Sequence, residues 1–200
     1  ARIGDSVAAV ETPALVVDLD AFEHNLDLMA NVVRGSGLAL RPHAKSHKCP
    51  DIAKAQVARG AVGICCQKVD EAAAFVAAGI ANVLVTNEIV EPAKIARLAA
   101  LAKSATIGVL VDDVRVIPDL SAAAAMAGGT LHVYVEIDVG AHRCGVAPGV
   151  AAVPLAQAVA AAPGLAFRGV HAYHGGAQHL RRPEERLVAI AAASRFAADT

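Results

Sequence analysis

The sequence predicts an α/β protein whose parallel sheet curls into a (β/α)8 barrel of the TIM type, incomplete here at about six strand–helix units. Three observations carry that expectation. Short apolar runs rich in branched residues alternate with alanine-rich stretches of helical character along the 200 residues, the pattern of a parallel sheet with crossover helices. Neither G-x-G-x-x-G nor G-x-x-x-x-G-K-[ST] stands at a strand-to-helix turn, which weakens the case for an open doubly wound sheet. Polar side chains gather where successive strands end, as they do at the carboxyl face of a barrel.

The elements follow in order. "ALVVD" (14–18) is a strand-like run, and Asp20 suits the start of an amphipathic helix through Arg34. Strands are then expected at "LALRP" (38–42), "VGICC" (62–66), "NVLVT" (82–86), "TIGVLV" (106–111), "LHVYVEID" (131–138) and "LAFRGVHAY" (165–173). Helices are expected at 51–59, 68–78, 92–103, 113–127, 150–162 and 184–199. Residues 1–34 thus form a strand and helix leading into the barrel, and 35–200 the partial barrel itself. Polar groups close five of these strands: His43 and Lys45, Gln67, Thr86 and Asn87, Asp138 to Arg143, and Tyr173 to His179.

Composition excludes several classes of function. A net charge of −1 with interleaved signs offers no basic surface for nucleic acid or an anionic membrane. Two tyrosines, four phenylalanines and no tryptophan leave little for stacking on bases. "VAAVPLAQAVAAAPGLAF" (150–167) is long enough to raise the question of a membrane span, but Pro154, Gln157 and Pro163-Gly164 divide it into a helix and a strand. No secretory signal stands at the amino end, and the start at Ala1 suggests trimming. Cys49, Cys65, Cys66 and Cys144 form no C-x-x-C pair, and neighbours on a strand point to opposite faces. Buried thiols in a cytoplasmic protein acting on a small molecule are the expectation.

The densest chemistry lies in "RPHAKSHKCP" (41–50). If "LALRPHAK" stays extended, Arg41, His43 and Lys45 share the inward face near the barrel mouth. A lysine there is partly desolvated and close to other cations, and both effects lower an amine's pKa. Such an amine suits Schiff-base chemistry. The residues alone leave a second reading open, a basic loop whose histidines cap the next helix, with Lys48 facing solvent. "EIDVGAHRCG" (136–145) taken alone reads as a strand-to-helix loop with glycines for tight turns. In "HAYHGGAQH" (171–179), His171 and His174 fall on opposite sides of a strand, and the spacing matches no zinc pattern.

Taken together, "RPHAKSHKCP", "GICCQKVDEA", "VEIDVGAHRCGV" and "YHGGAQH" resemble the D-threonine aldolase family, pyridoxal-phosphate enzymes with an alanine-racemase-like barrel. The likeness runs from "TPALVVDLDAFEHNL" (12–26) to the last helix. It implies that Lys45 holds pyridoxal 5'-phosphate covalently and that Arg143 stands against the pyridine nitrogen. It also implies that Gln67, Thr86 and Tyr173 line the cofactor and that His179 lies near the substrate hydroxyl. The reaction implied is cleavage of D-threonine and related D-3-hydroxy amino acids to glycine and an aldehyde. Arginine donates to a ring nitrogen without giving up its proton, so the ring is a weak electron sink. The family compensates with a divalent metal, manganese or magnesium, on the substrate hydroxyl. None of the residues named here is a metal ligand: the resemblance places the metal, the last two barrel strands and a β-rich domain beyond this chain, and it implies a homodimer. Two alternatives are a dehydratase of D-serine or D-threo-3-hydroxyaspartate and a pyridoxal-phosphate carrier without turnover.

Overall fold

The computed structural model describes all residues, Ala1–Thr200. They form two compact units, Ala1–Leu40 and Arg41–Thr200.

The first unit holds helix α1 (Leu19–Arg34), which begins where Asp18 caps it by accepting from the Ala21 amide at 2.9 Å. The strand expected at 14–18 does not form. A strand needs a neighbour for its backbone groups, and this unit contains no second strand.

The second unit runs α2 (Pro50–Ala58), β1 (Ile64–Cys66), α3 (Val69–Ala77), β2 (Asn82–Glu88), α4 (Pro92–Leu101), β3 (Thr106–Val111), α5 (Ile117–Ala127), β4 (Leu131–Ile137), α6 (Val153–Ala161), β5 (Leu165–Ala172) and α7 (Pro183–Ala198). Three helices start on proline, which needs no partner for an amide it lacks. The long apolar stretch divides into α6 and β5 as expected, and no helix is long and apolar enough to cross a membrane.

All strand pairs are parallel, in the order β1-β2-β3-β4-β5. A sequential order with no reversal is that of a barrel wall rather than of a doubly wound sheet. The wall is not closed by hydrogen bonds. Six strands are expected within 38–173, but five form. "LALRP" contributes only one bridge, His43 to Cys65, with the Cys65 amide donating to the Pro42 carbonyl at 2.7 Å. Pro42 has no amide to extend the ladder.

Every helix that packs on the wall does so on one face. Val83, Val85, Ile107, Val109, Leu131, Val133 and Ile137 join Phe75, Ile95, Leu98, Leu120 and Val159 in one apolar core. The opposite face carries only a small apolar cluster of Cys65, Leu84, Leu110 and Tyr134. Cys65 and Cys66 therefore face opposite ways, as expected, and all four cysteines are free. Burial pushes Cys65 up to about 11 and Cys66 to about 12, so both are inert thiols near neutral pH.

Two irregularities decide what reaches the inner face. Between Val85 and Glu88 the β2–β3 register slips, freeing Thr86 and Asn87 from pairing with β3. Between β4 and β5, Val133 pairs Phe167 but Tyr134 pairs Gly169, so Arg168 is an extra residue. That bulge inverts the alternation of β5 beyond it. Gly169 now faces inward beside Tyr134, and His171 beside Glu136. Without the bulge, His171 and Tyr173 would share the outward face of Leu165.

Candidate active site

A cavity of about 150 Å³ lies where β1, β2, β4 and β5 end. Larger hollows of about 370 and 410 Å³ lie at the starts of α3 and α4 and between α4 and α5, and Lys45 lines neither. The smaller cavity gathers Lys45, Gln67, Thr86, Arg143 and Tyr173, five of the six residues singled out from the sequence, together with Arg41, His43, Cys65 and His171.

Lys45 sits in a 3-10 turn, Ala44–Ser46. The His43 Nδ1 accepts from the Lys45 amide at 3.2 Å, so its Nε2 carries the hydrogen and donates to the Thr86 hydroxyl at 2.9 Å. Thr86, 7% exposed, passes its own hydrogen to the Cys66 carbonyl at 3.1 Å. Burial first, and then the Lys45 charge, holds the His43 pKa below its ordinary value. The desolvation expected for Lys45 is not found: the residue is exposed. The extended run stops at His43, and the turn carries the lysine out to the cavity rim.

The floor is set by Gln67. Its amide donates to Glu71 Oε2 at 2.8 Å, its side chain reaches the Thr86 carbonyl at 3.5 Å, and Asn87 donates to its carbonyl at 3.4 Å. Glu71 also accepts from Lys48 Nζ at 3.2 Å, so Lys48 is exposed yet tethered. Burial acts to raise the Glu71 pKa, but hydrogen bonds from Gln67 and Lys48 outweigh it and bring the carboxyl below its usual range.

The loop after β4 brings Arg143 in. Asp138 accepts from the Gly140 and His142 amides at 3.0 Å each, and these bonds, with the His142 ring at 2.9 Å, hold its pKa at about 2. The chain then returns against β4, with the Asp138 amide donating to the Val146 carbonyl at 2.9 Å and the Val146 amide to that of Glu136 at 3.0 Å. Gly145 makes that return possible: at φ 102°, an added Cβ would lie 2.8 Å from the Asp138 nitrogen and from the Ile137 carbonyl carbon. Arg143 ends 4.5 Å above the Tyr173 ring centroid and donates to Glu136 Oε1 at 3.2 Å. Burial acts against its charge, but Glu136 outweighs burial and its pKa is raised.

His179 is not brought in. It ends a 3-10 turn, Gly175–His179, is exposed, and does not line the cavity. His171 lines it while His174, past the strand end, does not. Sequence reasoning missed Glu136, 2% exposed, which bonds both Arg143 and His171 Nδ1. The available signal was a carboxylate inside the apolar run "LHVYVEI".

The donor set suits pyridoxal phosphate: an amine, two guanidinium groups and an aromatic ring share one concavity. For the metal, Glu88, Asp112 and Cys144 bring ligand atoms within 4.8 Å of one another. Asp112 Oδ2 is already engaged by the Gly145 amide at 3.0 Å, and burial together with nearby Glu136 and Asp112 pushes the Glu88 carboxyl toward its protonated form. This trio therefore fits a hydrogen-bonded anchor better than a resident cation, and no metal chemistry is assigned to it.

The profile of the family described as alanine racemase, N-terminal domain, matches residues 17–199. A D-threonine aldolase of Arthrobacter sp. is 50% identical over 99% of this chain and 52% of its own length. A 3-hydroxy-D-aspartate aldolase of Paracoccus denitrificans (strain Pd 1222) is 50% identical over 95% of this chain and 50% of its own. The crystal structure of D-threonine aldolase from Filomicrobium marinum superposes with a TM-score of 0.95 at 55% identity, covering 97% of this chain and 52% of that one. The chain spans about half the length of the curated relatives it matches. By sequence profile, by identity and by the sequential parallel wall that carries Lys45 at its rim, this chain belongs to the alanine racemase N-terminal domain family.

Proposed function

We propose that this chain is the cofactor-binding part of a pyridoxal-phosphate-dependent carbon–carbon lyase that cleaves D-threonine and related D-3-hydroxy amino acids to glycine and an aldehyde. The observation that carries the reading is the convergence of Lys45, Gln67, Thr86, Arg143 and Tyr173, from separate strand ends, on one cavity. Both half-identical relatives are named aldolases, which favours bond cleavage over dehydration.

Bound pyridoxal phosphate supplies an electron sink for the pair released when the bond between the α and β carbons breaks. Lys45 provides the amine that holds it, from a turn pinned through its own amide to His43. Arg143, fixed by Glu136 and the Tyr173 ring, offers hydrogen bonds to the ring while keeping its proton. Gln67 and Thr86 form a wall whose donors are oriented by one another and by Glu71. His179 is the proposed group that handles the substrate hydroxyl proton, from the exposed turn after β5. The divalent metal, manganese or magnesium, is assigned to residues beyond this chain, and the working form is proposed to be a cytoplasmic homodimer.

Product analysis tests the reading. The protein is supplied with pyridoxal phosphate and manganese and offered D-threonine and D-serine. Glycine with acetaldehyde from D-threonine is the expected result. A 2-oxo acid with ammonia would make it a dehydratase, and bound cofactor without turnover of either amino acid would make it a carrier.

A further inference from the structure

Glu136 is the one buried carboxylate in the wall, and both of its oxygens are used. Oε1 accepts from Arg143 at 3.2 Å, and Oε2 meets His171 Nδ1 in a very short contact. An ionised carboxylate only accepts, so the hydrogen of this second contact sits on His171 Nδ1. The neutral imidazole then has its lone pair on Nε2, at the opposite edge of the ring, and His171 lines the cavity. The neighbouring histidine is held the other way round. His43 accepts at Nδ1 and donates from Nε2. Two imidazoles beside one cavity thus carry opposite tautomers, each set by a fixed partner.

We propose that Glu136 is a positioning residue that locks His171 as the Nδ1–H tautomer and so presents Nε2 to the bound ligand as a hydrogen-bond acceptor, while it fixes Arg143 with its other oxygen. The proposal rests on the reading that this cavity holds pyridoxal phosphate. The group that meets Nε2 is a hydrogen-bond donor of the cofactor or of the amino-acid substrate. The reason for a carboxylate is arithmetic. A glutamine at 136 has one oxygen and one NH2 group, so it cannot accept from Arg143 and His171 together. Once its oxygen stays with Arg143, its NH2 turns His171 Nδ1 into an acceptor, and the hydrogen moves to Nε2. The donor facing it in the cavity then meets another donor.

The test uses the protein labelled with 15N at histidine, with and without pyridoxal phosphate, and the variants Glu136→Gln, His171→Asn and His171→Gln. His171→Asn keeps a donor where Nδ1 was and removes the acceptor at Nε2, whereas His171→Gln does the reverse. The expected wild-type spectrum shows His171 protonated at Nδ1 alone near neutral pH, with the two nitrogen signals exchanged in Glu136→Gln. The Nε2 signal should shift on adding cofactor alone if the cofactor is the donor, and only on adding D-threonine as well if the substrate is. Glu136→Gln and His171→Asn should each lower kcat by roughly 10- to 100-fold with KM little changed, the usual size for a residue that orients a ligand-contacting group. His171→Asn should melt near the wild type because Glu136 keeps its partner, which separates positioning from mere structure. His171 protonated at Nε2 or at both nitrogens in the wild type, or full kcat in Glu136→Gln, overturns the proposal. Failure of the wild type to take up pyridoxal phosphate sinks the cofactor reading instead, and leaves the tautomer measurement standing.

Discussion

Thr86 closes a chain of hydrogen bonds that begins at the Lys45 amide, and the two ends of that chain respond differently to substitution. Thr86→Val keeps the shape but leaves His43 Nε2–H without its acceptor in a buried setting. The loss expected is about 1–3 kcal/mol of folding stability, measurable by urea unfolding. Lys45 is exposed, so Lys45→Ala should change stability by less than about 0.5 kcal/mol. The same variant should lose the visible absorption band of bound cofactor entirely, and retention of that band with full turnover would remove the central claim. Composition made these residue types conspicuous, since "RPHAKSHKCP" concentrates titratable groups in an apolar chain. The desolvation of Lys45 was not legible, because it depends on where the strand gives way to a turn.

Strand β5 shows the same point for an element. Its first half, from Leu165, obeys simple alternation, and the extra residue at Arg168 then turns His171 and Tyr173 to the cavity. Gly169 permits the bulge with φ 124°, and an added Cβ there would meet nothing within 4 Å. Gly169→Val is therefore opposed by backbone conformation alone, at about 1–3 kcal/mol. The strand relieves that strain by flattening, which sends His171 and Tyr173 away from the inner face. Pyridoxal-phosphate titration followed by visible absorbance should show weakened binding out of proportion to the fall in Tm. Unchanged affinity would mean that the bulge does not depend on glycine.

For the whole molecule, charge burial makes stability depend on pH in a stated direction. His43, His47 and His132 all have pKa values held below 6.5, in each case with burial as the largest cause. The unfolded chain therefore binds protons first as pH falls. Their stabilising contribution is present above 6.5 and is lost as pH drops through that value toward the depressed ones. Glu88 works in the opposite sense: its raised pKa gives stability below 4.5 that is lost as pH rises. Between pH 8 and 5.5 the histidines dominate, so the urea midpoint should decline. His132→Gln should flatten that decline, and a midpoint that stays level across the range would show that these rings are not buried in solution. At still lower pH the Asp138 loop loses its hydrogen bonds as the carboxyl, at about 2, takes up a proton.

What the sequence by itself determined is what depends on neighbours along the chain. Alternating strand and helix patterns, proline starts and polar strand ends follow from local propensity and period, and five of the six expected barrel strands stand close to their predicted places. Lys45, Gln67, Thr86, Arg143 and Tyr173 were marked by position at strand ends and by family likeness, and they meet in one cavity. What only the tertiary structure decided depends on pairing between segments far apart in sequence. No run of residues in "LALRP" announces that it yields a single bridge, and no motif in "LAFRGVHAY" announces an extra residue that reverses its faces. The role of Glu136 belongs to the same class. A carboxylate in an apolar strand is costly until a guanidinium from the following loop and an imidazole from the next strand surround it, and that meeting exists only when the sheet has formed.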